Sequence, residues 1–522
     1  MKKLTACEIS PSFSKELQAD SEVNSFTRHV QHAHYSLANT VVPSKPEWVH
    51  LSTSFLEDYK LEVGDEGKLL RIVSGAEKFN GFESYAMCYG GHQFGHWAGQ
   101  LGDGRAINIA ELNVNGKNLT FQLKGAGPTP YSRRADGFAV LRSSIREYLC
   151  SEAMHHLGVP TTRALSLVKT GDWVTRDKLY NGNPKNELGA IVCRVSESFI
   201  RFGSFEIFAS RGEKKELKQL VDYTIKYHFS ELGEPSKSAY LLFFKEVVNR
   251  TKDLMIHWQR VGFVHGVMNT DNLSILGQTI DYGPFGWLEN YDPHWTPNTT
   301  DLQHKRYRFG KQPNMALWNL TQLANALYPL IEEVEPLQEI LQEYKRNYTI
   351  GFHKMMCEKL GLFVQEEVVD EFINQLEDNL EKSQIDMTIF FRELSGDAPI
   401  DVKLFWGILE RSTYLTVDEL KKQQSHWEMW FDNYSFLIEK ENVKKAARSS
   451  KMKAINPKYV LRNYMAQLAI DAAEKGDNSM VEELYTVILQ PYSEQPEMDK
   501  WYAKRPDWAM NKVGCSMLSC SS

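Results

Sequence analysis

Val264-His265-Gly266-Val267-Met268-Asn269-Thr270-Asp271-Asn272 leads through an apolar run, Leu273 to Leu276, and a turn at Gly277 into Thr279-Ile280-Asp281-Tyr282-Gly283. This stretch decides how the chain is read. His265 and Asn272 stand seven apart, and Asp-Tyr-Gly follows after the span of a short hairpin. Mg²⁺ is a hard cation that binds oxygen, and an amide oxygen with a carboxylate can bridge it to phosphates. Asp-Tyr-Gly alone is a common turn. Joined to His-x6-Asn at hairpin spacing, Asn272 and Asp281 become candidate metal ligands.

Protein kinases arrange the same parts as His-Arg-Asp-x4-Asn, a hairpin and Asp-Phe-Gly. One position departs from that pattern. The catalytic aspartate of kinases would fall at Val267, which cannot accept a proton. The nearest carboxylate is Asp271, read either as a turn cap or as the proton acceptor for an incoming hydroxyl. Lys124 ends a strand in Thr120-Phe121-Gln122-Leu123-Lys124-Gly125, and Glu147 follows 23 residues later on a helix. A strand lysine that reaches phosphates and a helix glutamate that steers it occur in this order in kinases. Each would otherwise be an ordinary solvated residue, and the order is what singles them out.

Working outward, Tyr89 to Arg105 is dense in glycine and ends Leu101-Gly102-Asp103-Gly104-Arg105, where a phosphate loop would lie. Glycines let backbone amides approach phosphate oxygens, and Arg105 adds a charged fork. The run lacks a Walker-type Gly-Lys-Ser/Thr. His92 and His96 are four apart, a zinc spacing on a helix, but they lie in a glycine-rich run without an adjacent glutamate. Arg194 and Arg201 bracket an extended stretch; they read as surface residues or as neutralisers of triphosphate charge.

Ala106 to Leu112 and Leu119 to Lys124 are predicted strands about Asn115-Gly116, a tight-turn pair. Phe138 to Leu157 is predicted as an amphipathic helix stopped by Gly158 and Pro160. A strand-rich stretch to about Phe205 follows, then helices from Glu213, Ala239 to Trp258, and most of the chain beyond Asn314. The first eighty residues read as irregular. The expected class is α+β: a protein-kinase-like two-lobed fold, with a β-rich N-lobe and a large helical C-lobe plus added terminal segments. The expected division is 1–84 as an extension packing on the core, 85–205 as N-lobe, 206–470 as helical C-lobe and 471–522 as a helical segment and tail.

A formal charge of -7 argues against a nucleic-acid partner. No apolar run is long enough for a membrane helix, and Met1 to Asp20 lacks the apolar core of a secretory signal. The seven cysteines form no C-x-x-C pair, which suits a reducing cytoplasm.

The run Tyr89 to Arg105, Gln122-Leu123-Lys124-Gly125-Ala126-Gly127, His265 to Asn272, Asp281-Tyr282-Gly283-Pro284-Phe285-Gly286 and Asn456-Pro457-Lys458-Tyr459 resemble the selenoprotein O family. The likeness runs from about Tyr35 to the C-terminus. It implies a kinase-fold protein adenylyltransferase that binds ATP flipped relative to kinases and moves AMP to Ser, Thr or Tyr of proteins. Carried onto this chain, Gly102, Gly104, Arg105, Lys124, Asp136, Gly137, Arg194, Arg201 and Asp281 would contact the nucleotide. Asp271 would accept the proton, Glu147 would orient Lys124, and Asn272 and Asp281 would hold Mg²⁺ or Mn²⁺. The flip accounts for Val267, since attack at the α-phosphorus does not need the kinase base position. The alternatives left open are a catalytically silent nucleotide-binding pseudokinase and a conventional kinase. Some relatives link a C-terminal selenocysteine or cysteine to a cysteine after Asp-Tyr-Gly. Gly283 to Asn314 holds none here, which leaves two readings: Cys515 as an alternative partner of Cys520, or a tail with two idle thiols. A monomer is expected.

Overall fold

The computed structural model describes residues 2–178, 181–363, 370–397, 401–441, 443–515 and 517–519. Its centre is an eight-stranded antiparallel sheet. In chain order the strands are β1 (Glu8–Ile9), β2 (Tyr35–Leu37), β3 (Glu47–Leu51), β4 (Tyr85–Met87), β5 (Ala106–Val114), β6 (Lys117–Lys124), β7 (Arg163–Arg176) and β8 (Lys185–Ser196). They lie in the order β2-β4-β5-β6-β8-β7-β3, with β1 paired on β5. β5 and β6 join through Asn115 (φ 54°) and Gly116 (φ 85°), the pair of left-handed residues that a type I′ turn requires. The first eighty residues are thus not wholly irregular, because β2 and β3 close the two edges of the sheet. Sequence periodicity misses them because strands of three and five residues show too few alternations.

Behind the sheet lies α1 (Leu141–His156), and the chain then turns helical through α2 (Phe202–Arg211), α3 (Lys214–His228), α4 (Lys237–Val261), α5 (Gln312–Ile331) and α6 (Glu335–Lys359). α2 begins inside the stretch expected to be strand-rich. α4 starts where the Ser236 hydroxyl accepts the Ala239 amide and ends at Gly262 in the left-handed region. It packs along α5 and α6. One apolar core runs from the sheet through these helices, and a second, rich in Trp427, Trp430, Phe390 and Phe405, fills the region beyond α6.

α1 departs from the expected amphipathic helix in a way that matters for the site. Every residue from Leu141 to Met154 is buried, including Arg146, Glu147 and Glu152. Its second face is covered by helices Asn463–Ala473 and Ser479–Leu489. The polar groups there are tolerated because they are paired: Glu152 takes the Arg163 guanidinium at 2.8 Å and the Ser52 hydroxyl at 2.7 Å. Across the same seam His50 on β3 meets Glu482 at 2.7 Å, and Ser52 meets Tyr485 at 2.9 Å.

Near the end of the chain, Leu518 sits between Pro297 and Thr299, donating its amide at 3.0 Å and accepting at 2.7 Å. Cys515 is buried. Cys520, and with it the Cys515–Cys520 pairing, lies outside the described residues. No helix among the described residues is long and apolar enough to cross a membrane.

Candidate active site

Lys124 is the last residue of β6, placed by its pairing to Ala106 on one side and Val192 on the other. Its ammonium lies 2.6 Å from the Glu147 carboxylate on α1 and 3.9 Å from that of Asp281. Glu147 also accepts Arg194 at 3.1 Å. Arg194 comes from β8, directly opposite Gln122, and its other nitrogen donates to the Gln122 side-chain carbonyl. Arg194 reaches Asp281 at 2.5 Å, and Arg201 pairs with the second oxygen of the same carboxylate. Arg201 precedes α2 and also donates to the main-chain carbonyl of Asp271 at 2.7 Å. Asp281 itself has φ 56°, a left-handed turn uncommon for a non-glycine residue.

The electrostatics follow from three cations facing two carboxylates out of water. Burial pushes the Asp281 carboxyl up, but Arg201, Arg194 and Lys124 outweigh it and hold the group well below the usual carboxylate range. Burial lowers Lys124, opposed by Glu147. For Arg194 burial is again the first effect, and Asp281 with Glu147 reverses it, so the pKa is raised.

Asp271 is treated differently by its surroundings. It lies in the short turn Thr270–Asn272, and burial raises its carboxyl from the ordinary 3.8 to about 7. One oxygen accepts Gln93 Nε2 at 3.2 Å, while the other is buried without a hydrogen-bond partner. That oxygen packs against Gly91, where a Cβ would stand 2.6 Å away. His265, stacked on Trp258, holds the Ile280 carbonyl at 2.9 Å and so ties the turn to the segment that carries Asp281.

The glycine-dense run is a hairpin, Gly90–Gln93 and His96–Gln100, turning at Phe94 (φ 51°) and Gly95 (φ 90°). Its tip docks residue by residue on the Asp271 loop: Phe94 donates its amide to Asn269, His92 to Thr270 at 2.7 Å, and Gln93 its side chain to Asp271. Thr270 in turn donates to Glu206 of α2 at 2.6 Å. His92 faces Glu206 and lies tilted beside the Trp97 ring. No cluster of three or more His, Cys, Asp or Glu fit for a metal occurs among the described residues, so the His92/His96 spacing has no metal site around it.

Gly102 and Gly104 follow this hairpin and are packed against Tyr131; a Cβ would lie 2.3 Å from its ring at Gly102 and 2.9 Å from its carbonyl oxygen at Gly104. Arg105 accepts the Gly125 amide on its main-chain carbonyl at 2.7 Å, bringing this turn beside the end of β6. Its side chain forms no ion pair or hydrogen bond with another described residue, which leaves the guanidinium available. Gly137 (φ 80°) lies against Gly127, and Asp136 beside it is held by both nitrogens of Arg176 at 2.7 Å. A Cβ at Gly137 would meet main-chain atoms of Gly127 and Pro128 at 2.2–2.3 Å. Gly137→Ala is therefore expected to lower stability by more than about 1 kcal/mol in chemical denaturation and to weaken nucleotide binding.

Ion pairs join Lys124, Glu147, Arg194, Arg201 and Asp281, Arg201 also ties in Asp271, and Asp136 is engaged by Arg176. Sequence reasoning missed Gln93, Gln122, Asp103 and Glu206. Asp103 is buried under Met87 and Gln122 and lies 3.7 Å from Arg201. The only signal for these was polarity within apolar or glycine-rich stretches. The donor types suit a hard cation: Asn272 uses its amide nitrogen on the Val267 carbonyl at 3.0 Å, so its oxygen is the group left to bind a metal, and Asp281 stays ionised.

Comparison with known proteins agrees with this geometry. The family model described as protein adenylyltransferase SelO matches residues 20–489. The chain is 56% identical over 519 residues to protein nucleotidyltransferase YdiU of Flavobacterium johnsoniae, covering 99% of both proteins. It is 50% identical to the proteins of the same name from Rhodopirellula baltica, over 530 residues, and Azoarcus sp., over 518 residues, each covering 98% of both proteins. With the match extending through every site residue described above, the chain belongs to the SelO family of protein adenylyltransferases.

Proposed function

We propose that this chain transfers AMP from ATP to serine, threonine or tyrosine hydroxyls of proteins and releases pyrophosphate. The observation that carries this reading is the pairing of two unlike carboxylates: Asp281 held ionised among Lys124, Arg194 and Arg201, and Asp271 raised to about 7 with an unpartnered oxygen. Such divergent environments separate a charge-holding role from a proton-accepting one. In this assignment the fold is kinase-like, with 85–205 as N-lobe, 206–470 as helical C-lobe, and 1–84 and 471–522 as added segments. The protein works in the cytoplasm as a monomer.

Lys124, steered by Glu147, together with Arg105, Arg194 and Arg201, binds the triphosphate. The loops bearing Gly102, Gly104, Asp136 and Gly137 cradle the nucleotide by close main-chain approach. The acceptor hydroxyl oxygen attacks the α-phosphorus while its proton passes to the free oxygen of Asp271. The bond between the α-phosphorus and the bridging oxygen breaks, and pyrophosphate takes that electron pair. Cations poised for the developing charge stabilise it without reorganisation. Asn272 and Asp281 would hold Mg²⁺ or Mn²⁺, which supplies further charge neutralisation on the phosphates when bound. Val267, whose carbonyl anchors Asn272, fills the place a kinase base would need.

ATP labelled separately at the α and γ phosphates tests the reaction. Label is expected to enter protein from the α position alone; entry from γ alone would make the enzyme a conventional kinase, and none from either the silent pseudokinase. The base must be ionised to accept a proton, so kcat/KM is expected to fall as pH drops through about 7. A profile flat from pH 5 to 8 would remove Asp271 from that role.

A further inference from the structure

His304-Lys305-Arg306-Tyr307-Arg308-Phe309-Gly310-Lys311 is the most basic stretch near the site: four of its eight residues are Lys or Arg, in a chain of net charge -7. Lys305 is exposed and Arg306, Arg308 and Lys311 are half-buried. None of these four forms an ion pair with a described residue. Asp301 beside them is buried and accepts the main-chain amides of Arg306 and Tyr307 at 2.9 and 2.7 Å. Arg306 Nε is buried with no hydrogen-bond partner.

The placement of this strip is fixed by contacts already tied to the reacting groups. Tyr307 donates its hydroxyl to Asn269, two residues before Asp271, at 2.7 Å, and accepts the Phe94 amide at 3.0 Å. The Arg306 guanidinium lies against Gly95, at 3.3 Å from where a Cβ would stand. It also covers the Trp318 ring at 4.7 Å. Arg306 and Tyr307 therefore set the strip beside the hairpin tip whose Gln93 holds Asp271.

We infer that Lys305, Arg306, Arg308 and Lys311 form a docking strip for the protein substrate, selecting hydroxyls flanked by Asp or Glu. The inference rests on the AMP-transfer reading for its substrate but on charge and position for the surface. Exposed ion pairs contribute modestly, and two or three together amount to about tenfold in affinity. Complementary charge also speeds encounter and is weakened by salt.

The test uses the full-length protein and two fluorescent serine peptides, one flanked by glutamates and one by glutamines, followed by anisotropy and, with α-labelled ATP, by AMP transfer. The glutamate peptide is expected to bind about tenfold more tightly at low salt. That preference should fall below about twofold in Lys305→Glu/Arg308→Glu and in about 0.5 M salt. The milder Lys305→Gln/Arg308→Gln variant should fall between, with nucleotide-induced thermal stabilisation unchanged as a check on folding. Equal binding of the two peptides, or a preference that survives charge reversal, would overturn the inference. So would tighter binding of an oligothymidylate of matched charge, in favour of a nucleic-acid surface. A glutamate preference in binding with no label in either peptide would leave the strip standing and sink the AMP-transfer reading.

Discussion

Asp271→Asn is expected to lower AMP transfer by about 10²–10⁴-fold while making the folded protein more stable at pH 8. Loss of activity follows because an amide cannot take up the hydroxyl proton. Gain of stability follows from burial. The carboxyl rises from 3.8 to about 7 because ionising it out of water, with one oxygen unpartnered, is unfavourable. Its folded pKa lies above its unfolded one, so the stability it contributes is complete below about pH 4 and is lost as pH rises through about 7. The penalty at pH 8 is on the order of 4 kcal/mol at most. The amide mimics the protonated acid and does not titrate. Melting temperatures of wild type and variant should therefore converge near pH 4 and separate by pH 8, with the variant higher. A variant less stable at every pH would show that Asp271 holds the loop together and does not wait in it as a base.

Asp281→Ala should have the opposite sign and a comparable size. It leaves Lys124, Arg194 and Arg201 facing one another with Glu147 and Asp103 to pair them. Removing one side of a buried ion cluster costs about 3–5 kcal/mol, because the remaining charge is uncompensated. Nucleotide binding should also be lost. Adding Arg201→Met to Asp281→Ala should restore part of the stability, with a coupling of about 1–3 kcal/mol in a double-mutant cycle. Strict additivity in denaturant unfolding would mean that the two side chains do not act on each other.

The parts of the site that could be read from the chain are those whose geometry is local. His265 to Asp281 is one turn and one short connection, so spacing alone singles out Asn272 and Asp281. The Lys124 to Glu147 order works for the same reason, as a strand feeding the next helix. Arg194 and Arg201 were ambiguous in sequence because their partner Asp281 is 80 or more residues away, and no periodicity records such a pairing. The hairpin over Asp271 was hidden in a glycine-dense run to which no element was assigned; the signal for it was Phe94-Gly95 between residues able to pair. For α1 the apolar face was legible, but burial of the polar face depends on helices more than 300 residues later. Those later helices were visible as helices, with nothing in their sequence to say what they cover.

The seam between β3, α1 and the helix Ser479–Leu489 also sets when the enzyme can exist. Glu147 is steered from a helix whose outer face stays bare until residues near Glu482 and Tyr485 reach His50 and Ser52. Contacts that span more than 430 residues form late and slowly. On the ribosome, the sheet and the catalytic loop will emerge long before α1 is braced. A chain stalled short of that helix should hold every residue proposed to bind the nucleotide and still be unable to order them, so that completion of synthesis itself acts as the last step in arming the site.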